Sequence, residues 1–311
     1  MDALLAKSLS KTYHARQGTV KALDNVDMVI RKGQLFGFLG RNGAGKTTFI
    51  KIAAGLLLPT SGSMELFGID VLRQPREVRE RIAIVPQEGK PFYHLTPREH
   101  IEEYLRVRGR AAEAAKSIAD DLLQAMGLEA YSHIPAMLLS GGLQQRTLVA
   151  MVLATGADFL FLDEPTLGMD PFARRQVWDV IRRAGRNGST VLITTHYLDE
   201  AEQLTEELAV IEGGHVLYKG SAESLKSKVR REVRLHFDRG FTSKELESFG
   251  EVYSERGGLT LMTTRVHAEE LTRAALERGI AVNVGPVTLE EAFLTLVGKS
   301  IEEDEPGGAW A

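Results

Sequence analysis

Residues 40–48, GRNGAGKTT, have the types and the spacing of a loop that holds phosphate groups. They fit the pattern G-x-x-x-x-G-K-[ST] and follow the apolar run LFGFLG, which predicts a strand leading into the loop. Glycines allow backbone N–H groups to surround a β-phosphate, while Lys46 reaches the β- and γ-phosphate oxygens and Thr47 can bind Mg²⁺. Thr48 is expected one residue into the following helix, near the α-phosphate. The candidate nucleotide-binding residues of the loop are Gly40, Asn42, Gly43, Ala44, Gly45, Lys46, Thr47 and Thr48.

Two adjacent acids end a second apolar run, FLFLDEP at 159–165. Asp163 is expected at the C-terminal end of a strand beside the phosphate loop, where α/β sheets place their ligands, and it suits the surroundings of a bound Mg²⁺. Glu164 is the candidate general base, a role that accelerates a reaction by roughly 10²–10⁴. Because a phosphate loop alone only binds nucleotide, the two acids extend the prediction from binding to hydrolysis.

Two further polar residues follow apolar runs in the same way. Gln87 follows RIAIVP, and His196 follows TVLITT. At strand ends of one sheet they are expected to converge on the γ-phosphate, Gln87 through the metal ion or water and His196 as a hydrogen-bond donor. Tyr13 is a candidate for stacking on adenine, and an ordinary aromatic residue of an edge strand is an equally good interpretation.

The stretch LLSGGLQQR at 138–146 offers a second anion site, because unpaired N–H groups at a helix start attract negative charge. Ser140, Gly141 and Gly142 precede a helix predicted over 143–156, which is about 20 Å long. Its C-terminal end leads into the strand of Asp163, so its start is expected well away from the chain's own phosphate loop. We therefore expect Ser140 and the two glycine amides to close over the γ-phosphate held by a second copy. The alternative is a helix N-cap with no ligand.

Composition narrows the classes of protein to which the chain can belong. It has 311 residues, 43% of them apolar and 26% charged, which is ordinary for a soluble globular protein. The formal net charge of −4 argues against a general nucleic-acid binder, and the absence of cysteine excludes disulfides and thiol chemistry. No apolar leader and no run of about 18 apolar residues occurs, so we expect a protein of the cytoplasm or of the cytoplasmic face of a membrane.

Short apolar runs separated by helical patterns predict an α/β fold around a largely parallel sheet. The runs are VDMVI, QLFGFLG, RIAIVP, DFLFLDEP and TVLITTH. ELAVIEGGHVLYKG predicts a hairpin that turns at Gly213 and Gly214. From about 88 to 156 the pattern is helical, with a capping box that begins at Thr96, and this segment is expected to be a helical insertion.

The chain is expected to contain two domains and a tail. The α/β domain is predicted over 1–224, and a small α+β domain over 225–300, where Thr288 caps the final helix. The acidic residues 301–311, IEEDEPGGAWA, are expected to form a mobile tail.

These residues, in this order, resemble the ATP-binding subunit of an ABC transporter over roughly residues 3–222. The match consists of the A-loop at Tyr13, Walker A at 40–48, the Q-loop at Gln87, the signature LSGGL at 139–143, Walker B at 159–163 with Glu164, the D-loop at 167–170 and the switch histidine His196. Leu143 departs from the pattern, because the family usually has glutamine there. The anion-binding serine and glycines remain, so we expect activity with a slightly altered contact. By resemblance, Asp170 would contact the partner chain and link the two ATP sites.

The resemblance implies a P-loop NTPase core with a mixed sheet and a helical subdomain, binding ATP and Mg²⁺. The segment after 225, with VTLEEAFLTLVG near its end, resembles the exporter subgroup whose prototype confers daunorubicin resistance. We therefore expect an ATP-hydrolysing motor subunit of an exporter that forms a homodimer and drives a separately encoded membrane permease, with no nucleic-acid partner. The permease is expected to dock on Pro91, Phe92, Tyr93 and Leu95. The alternatives are a soluble ABC-type ATPase acting on translation or DNA ends, and a regulatory ATPase that binds membrane partners without driving transport.

Overall fold

A six-stranded sheet lies at the centre of the first of two units in this computed structural model. The first unit is Met1–Lys219, and the second begins at Gly220. The structure describes residues 1–15, 18–228, 233–255 and 257–298. The predicted tail 301–311 lies outside the described residues.

The strands of the first unit form two sheets. One has six strands in the order β10-β9-β3-β8-β7-β6, and the other has four in the order β2-β1-β4-β5. Their bounds are β1 Asp2–Ala15, β2 Gly18–Arg31, β3 Leu35–Leu39, β4 Ser61–Leu66, β5 Ile69–Asp70, β6 Ile82–Val85, β7 Phe159–Asp163, β8 Thr190–Thr195, β9 Glu207–Glu212 and β10 His215–Gly220.

The neighbouring strands β9, β3, β8, β7 and β6 run parallel, and their register places their C-terminal ends at one edge. Leu39 pairs with Thr195, Asp163 with Thr194, and Val85 with Leu162. β3, β7 and β8 are buried along their whole length, as expected for strands covered on both faces. The residues that follow these strands are therefore brought to the same edge.

The run VDMVI lies in a different sheet from the one expected. It forms the end of β2, which pairs antiparallel with β1, and not a strand of the parallel sheet. Burial alternates along it, with Val26, Met28 and Ile30 buried and Asp27 exposed. This period of two shows a strand with only one face toward the core, which is typical of an antiparallel sheet, whereas the run was counted among those that predict the parallel sheet.

Side chains of both sheets meet in one aromatic-rich core. Phe36, Phe38 and Phe49 are completely buried there, together with Met28 and Ile30 of β2. Burial of each of these side chains contributes about 1.5–3 kcal/mol, so the core holds β3 and the following helix firmly in place.

The predicted hairpin is confirmed. β9 and β10 are neighbours in the sheet, and Gly213 and Gly214 join them with φ values of 54° and 82°. Positive φ at both central residues is what a type I′ turn requires, and glycine adopts it without a steric penalty.

Helices of the first unit are α1 Lys46–Ala53, α2 Pro75–Arg81, α3 Pro97–Val107, α4 Ala112–Ala125, α5 Gly141–Ala154, α6 Pro171–Arg186 and α7 Leu198–Leu204, with short 3₁₀ turns at Glu129–Tyr131 and Ala136–Leu138. α3, α4 and α5 pack around Ile101, Leu105, Ala119 and Leu123. The capping box predicted at Thr96 is confirmed, since its hydroxyl accepts from Glu99 N–H at 3.2 Å and the Glu99 carboxylate accepts from Thr96 N–H at 2.8 Å.

Helix α5 begins at Gly141, two residues before the predicted start at 143, and ends at Ala154. Ser140 is its N-cap, and its hydroxyl accepts the Leu143 N–H at 3.4 Å. Glycine disfavours a helix interior, which is why the pattern placed the start later, but the first turn needs only the cap.

The second unit is an antiparallel four-stranded sheet with helices, in the order β12-β13-β11-β14. Leu235, Phe237, Leu246, Leu261 and Leu271 form its core. Its elements are α8 Ala222–Lys226, β11 Val233–Phe237, α9 Ser243–Leu246, β12 Gly250–Glu255, β13 Gly258–Thr263, α10 Arg265–Glu277, β14 Val282–Pro286 and α11 Leu289–Val297. The predicted cap of α11 by Thr288 is confirmed.

Candidate functional site

The loop between β3 and α1 is tightly enclosed by the first unit's own backbone. A Cβ at Gly40 would collide with the Ile211 carbonyl oxygen, and one at Gly45 with the Ala22 carbonyl oxygen. Gly43 and Gly45 have φ values of 77° and 115°, a region that disfavours other residues. Glycine at these positions therefore gives the loop its shape.

Lys46 begins α1 and is buried, with 6% of its surface exposed. Its ammonium group donates to the carbonyl oxygens of Gly40 at 2.6 Å and Arg41 at 3.0 Å. The positive charge of Lys46 is thus held inside the loop by the loop's own carbonyl oxygens.

A cavity of about 100 Å³ opens at this loop. It brings together loop residues with Gln87 and Glu164, which come from the ends of β6 and β7. Its lining is Asn42, Gly43, Gly45, Lys46, Thr47, Thr48, Gln87 and Glu164.

Three oxygen-bearing side chains meet beside Lys46. The Thr47 hydroxyl donates to the Asp163 carboxylate at 3.0 Å and also lies 3.3 Å from the Gln87 amide oxygen. Hydroxyl, carboxylate and amide oxygens are the donors that Mg²⁺ prefers. No group of three or more His, Cys, Asp or Glu side chains suited to a metal occurs within the described ranges. A cation beside the Thr47 hydroxyl would have the Asp163 carboxylate as a ligand, which fits an ion that takes further ligands from phosphates and water.

Glu164 has a constrained backbone directly after β7. Its φ is 51°, an uncommon value for a residue with a side chain. Its N–H donates to the Thr194 carbonyl oxygen at 3.0 Å and lies 3.1 Å from the Thr194 hydroxyl, which itself donates a short hydrogen bond to Asp163. Such a conformation persists only where its surroundings fix it, and here the neighbouring strand β8 does so.

The Glu164 side chain contacts both of the other predicted catalytic residues. Its Oε2 lies 3.1 Å from His196 Nδ1, and its Oε1 lies 3.5 Å from the Gln87 amide nitrogen. Glu164 is buried, whereas Gln87 is exposed. The predicted convergence of these side chains at one edge of the sheet is thus present in the geometry.

The two adjacent acids have opposite pKa shifts. Burial raises the pKa of Asp163, and hydrogen bonds from Thr194 and Thr47 offset this only in part. Burial also acts to raise the pKa of Glu164, but the hydrogen bond and charge of His196, with the charge of Lys46, outweigh it and lower the pKa. Glu164 is therefore ionised at neutral pH, the state that a general base requires.

Tyr13, on β1, lies near the loop but does not line the described cavity. Its hydroxyl is 3.5 Å from the Thr48 hydroxyl, and the Lys11 ammonium lies 5.2 Å from its ring centre. Tyr13 is 40% exposed.

The predicted signature residues lie apart from the cavity lining described above. Ser140 and Gly141 are exposed. A Cβ added at Gly142 would lie 2.9 Å from the Gly168 carbonyl oxygen, and the Gln145 amide donates to the Glu164 carbonyl oxygen at 3.3 Å. The start of α5 therefore packs on the turn that follows Glu164.

Asp170 caps the next helix, α6. Its carboxylate accepts the N–H groups of Ala173 at 2.9 Å and Phe172 at 3.0 Å, and these hydrogen bonds lower its pKa. Leu167 and Phe172, on either side of Asp170, are 41% and 72% exposed. The segment 167–172 thus presents apolar side chains to the surface.

Three residues that hold the site in place were missed from the sequence. Thr194 fixes both acids, Gln145 fixes the turn after Glu164, and the buried carboxyl group of Glu200 binds Thr166 in that turn. Glu200 shares a helix face with Ala201 and Leu204, and this spacing is the one signal in the sequence that marks it as buried.

Comparisons with known proteins assign the family. A sequence model of the ABC transporter family matches residues 23–167. The daunorubicin/doxorubicin resistance ATP-binding protein DrrA of Streptomyces peucetius is 35% identical over 315 residues, which cover 97% of this chain and 94% of that protein. The chain belongs to the ATP-binding proteins of ABC transporters. Nod factor export ATP-binding protein I of Burkholderia orbicola (strain AU 1054) is 34% identical over 297 residues, covering 94% of this chain and 97% of that protein.

Solved structures agree with this family. The dimeric structure of the ATP-binding cassette MJ0796 in a post-hydrolysis state, bound to ADP and Pi, has a TM-score of 0.66 at 25% identity and covers 70% of this chain and 98% of that one. A structure of the ATP-binding subunit of an ABC transporter has a TM-score of 0.66 at 26% identity, covering 73% of this chain and 92% of that one. The predicted fold class and the assignment as an ATPase are confirmed.

Within the described ranges of this ABC ATP-binding protein, no helix combines the length and the apolar character needed to cross a bilayer.

Proposed function

We propose that this ABC ATPase works as a homodimer that closes over two ATP molecules and drives a separate membrane permease in export. The observation that carries the proposal is the split between two groups of residues. Lys46, Thr47, Asp163 and Glu164 meet at one edge of the sheet, whereas Ser140 is exposed at the start of α5. A site completed by a second copy accounts for both groups.

Thr47, Gln87 and Asp163 are the residues that we propose to hold Mg²⁺, supported by their oxygen atoms lying within 3.3 Å of the Thr47 hydroxyl. The ion, when bound with ATP, neutralises the charge that develops on the β- and γ-phosphate oxygens. Ionisation of the Asp163 carboxylate, whose pKa burial raises, is favoured by any cation placed beside it.

The remaining residues bind ATP, or they orient and deprotonate the water that attacks its γ-phosphate. The N–H groups of residues 40–48 and the Lys46 ammonium hold the phosphates, and Tyr13 stacks on the adenine. Glu164 accepts a proton from the attacking water through a carboxylate oxygen. His196 donates to the γ-phosphate, a role supported by its Nδ1 lying 3.1 Å from a Glu164 carboxylate oxygen, and Gln87 orients the water.

In the proposed dimer, the second copy supplies Ser140, Gly141 and Gly142 to the γ-phosphate. Exposure of Ser140 and Gly141 at the N-terminal end of α5 supports this role. Asp170 and its neighbours on the exposed segment 167–172 lie against the partner chain. The two ATP molecules thereby become part of the interface, and hydrolysis weakens it.

Four apolar side chains beside Gln87 form the proposed docking surface for the permease. Phe92, Tyr93, Met137 and Leu138 are 75%, 48%, 55% and 71% exposed. The two segments are joined, because Met137 N–H donates to the Tyr93 carbonyl oxygen at 3.0 Å. Contiguous exposed apolar residues are typical of protein-binding sites. Pro91 is buried and Leu95 is half-buried, so these two residues, which the sequence also suggested, offer less surface to a partner.

The direction of transport and the domain bounds are part of the same proposal. Export is supported by the relatives named for daunorubicin/doxorubicin resistance and for Nod factor export. We propose an ATP-binding domain over 1–224 with a helical subdomain over about 88–156, and an accessory α+β domain over 225–300. The permease would hold the protein at the cytoplasmic face of the membrane.

Substitution of Glu164 by glutamine tests the dimer and the general base together. The variant keeps the size and most hydrogen bonds of the side chain but cannot accept the proton, so ATP binds and is not hydrolysed. We expect a stable dimer on size-exclusion chromatography in ATP and Mg²⁺, and a monomer without nucleotide. Glu113→Gln, an exposed change on α4, is the matched control and should elute as the unaltered protein does. A Glu164→Gln protein that stays monomeric in saturating ATP would contradict the proposal.

A further inference from the structure

The carboxyl group of Glu200, which binds the turn after Glu164, has no role in the chemistry described so far. Glu200, on α7, is completely buried, although glutamate is almost never fully buried without a partner. Its Oε1 accepts the Thr166 hydroxyl at 2.9 Å and the Trp178 indole N–H at 2.8 Å. Its Oε2 is also buried, and although burial raises the pKa of Glu200, hydrogen bonding from Thr195, the residue before His196, acts in the opposite direction. A costly buried acid is therefore kept beside the catalytic edge.

The partners of Glu200 belong to the segments that carry the catalytic residues. Thr166 lies two residues after Glu164, in a turn closed by hydrogen bonds from Leu167 N–H to the Glu164 carbonyl at 3.3 Å and from Met169 N–H to the Thr166 carbonyl at 3.1 Å. Glu200 itself lies four residues after His196. One carboxyl group thus connects the turn that carries the base with the helix that follows the histidine.

This connection explains how the unusual backbone of Glu164 is maintained. A residue with a side chain at a φ of 51° relaxes unless contacts on both sides hold it. Thr194, on the neighbouring strand β8, binds the Glu164 N–H. On the other side, the turn after Glu164 is held by Thr166, whose hydroxyl donates to Glu200. Trp178 extends the attachment to α6, so three elements meet at one oxygen atom.

We propose that Glu200 is a positioning residue for ATP hydrolysis, which fixes the turn after Glu164 relative to His196 through its hydrogen bonds to Thr166 and Trp178. The proposal rests on the roles proposed above for Glu164 and His196. Catalytic groups must be held to within about 0.5 Å, and a misplacement of about 1 Å costs about 10²-fold in rate. Loss of the acceptor at position 200 should therefore lower turnover rather than ATP binding, since neither Glu200 nor its partners Thr166 and Trp178 line the phosphate-binding cavity.

The test compares an acceptor-free variant with one that keeps the acceptor. Glu200→Leu leaves the Thr166 hydroxyl and the Trp178 N–H without their partner at similar side-chain volume, whereas Glu200→Gln retains an oxygen for both. Leu204→Ala, at a buried position of the same helix, destabilises α7 without touching the carboxyl group. All variants are made with Trp310→Phe. The chain has two tryptophans, so Trp178 is then the only tryptophan and its emission can be excited selectively.

We expect Glu200→Leu to lower kcat by about 10²-fold while KM and the affinity for ATP change by less than about threefold. Glu200→Gln should stay within about threefold of the parent in kcat, and Trp178 emission should shift only in the leucine variant. Leu204→Ala, compared at a temperature where it is fully folded, should keep the parental kcat. Thr166→Val, which removes only the hydroxyl, should lower kcat in the same direction and serves if Glu200→Leu does not fold.

Three outcomes would overturn the proposal. One is a parental kcat in Glu200→Leu or in Thr166→Val, and another is a kcat of Glu200→Gln as low as that of the leucine variant. The third is an equal loss in Leu204→Ala, which would mean that stability alone decides. Failure of the proposed function has a different signature, because Glu164→Gln would then retain hydrolysis whatever the variants at position 200 do.

Discussion

Replacement of Lys46 by methionine isolates the contribution of one charge to nucleotide binding. The lysine is buried, and its ammonium group donates to the Gly40 and Arg41 carbonyl oxygens at 2.6 Å and 3.0 Å. Methionine keeps an unbranched stem of similar length and removes the ammonium group. The packing around the stem is therefore largely preserved, and the loop loses two donors and a positive charge.

The size of the effect follows from the exchange of these hydrogen bonds. When ATP binds, the Lys46 ammonium must exchange loop carbonyl oxygens for charged phosphate oxygens. Both sets of contacts involve the charged ammonium group, but only the phosphate contacts join two opposite charges, and a hydrogen bond to a charged group contributes about 1.5–3 kcal/mol. Two phosphate contacts at about 1.5 kcal/mol of net gain each amount to about 3 kcal/mol, which is about 10²-fold in Kd. AMP lacks the β- and γ-phosphates, so its affinity should change by less than about threefold.

Calorimetric titration of ATP, ADP and AMP into the full-length variant measures this difference directly. Lys51→Met is the matched control, because Lys51 is an exposed lysine in the last turn of the same helix. We expect the control to bind all three nucleotides as the unaltered protein does. If Lys46→Met binds ATP as tightly as Lys51→Met, or loses AMP binding to the same extent as ATP binding, the placement of the β- and γ-phosphates at Lys46 is wrong.

Three further predictions concern the surfaces around the site. Ser140→Arg should leave ATP binding by the monomer unchanged and abolish turnover, and normal turnover would refute a site shared between copies. Phe92→Asp should abolish co-purification with the permease while basal ATP hydrolysis persists; an intact complex would refute the docking surface. Burial lowers the pKa of His100 despite the opposing Thr96 and Glu99, and its Nε2 accepts Phe92 N–H at 2.8 Å. Neutral His100 therefore stabilises the fold at pH values above its ordinary pKa of about 6.5. This stabilisation is lost as the pH falls through the lower pKa that His100 has in the folded protein. ¹⁵N NMR of the ring should show His100 less than half protonated at about pH 6.5, and half-protonation or more at that pH would contradict the lowered pKa.

The catalytic edge could be predicted because the relevant strands are buried on both faces. β3, β7 and β8 are continuous apolar or β-branched runs, so the polar residue that follows each one stands out in the sequence. Parallel strands end at the same edge of the sheet. Glu164, His196 and the loop that carries Lys46 follow such ends, so they are brought together. The chemistry of the site is thus encoded locally, at a few strand ends.

The supporting residues could not be predicted, because their types are ordinary for the elements that hold them. Thr194 is a β-branched residue in a strand, where such residues are frequent in any case. Glu200 lies between Asp199 and Glu202, both exposed, and a run of acids in a helix usually indicates a solvated face. Its spacing with Ala201 and Leu204 marks the buried face of α7, but only the contact with Trp178 on α6 shows which groups its carboxyl group binds.

In the proposed dimer, the start of α5 would affect catalysis in a second way besides completing the phosphate site. Gly142 packs on the Gly168 carbonyl group, and Gln145 donates to the Glu164 carbonyl oxygen of the same chain. In the proposed dimer, any shift of Ser140 toward the γ-phosphate of the partner therefore moves the turn that carries this chain's own base. Each active site would then register the state of the other through about one turn of helix, because a well-packed segment transmits small displacements without absorbing them. The backbone that follows Glu164 would thus couple the two ATP molecules of the proposed dimer.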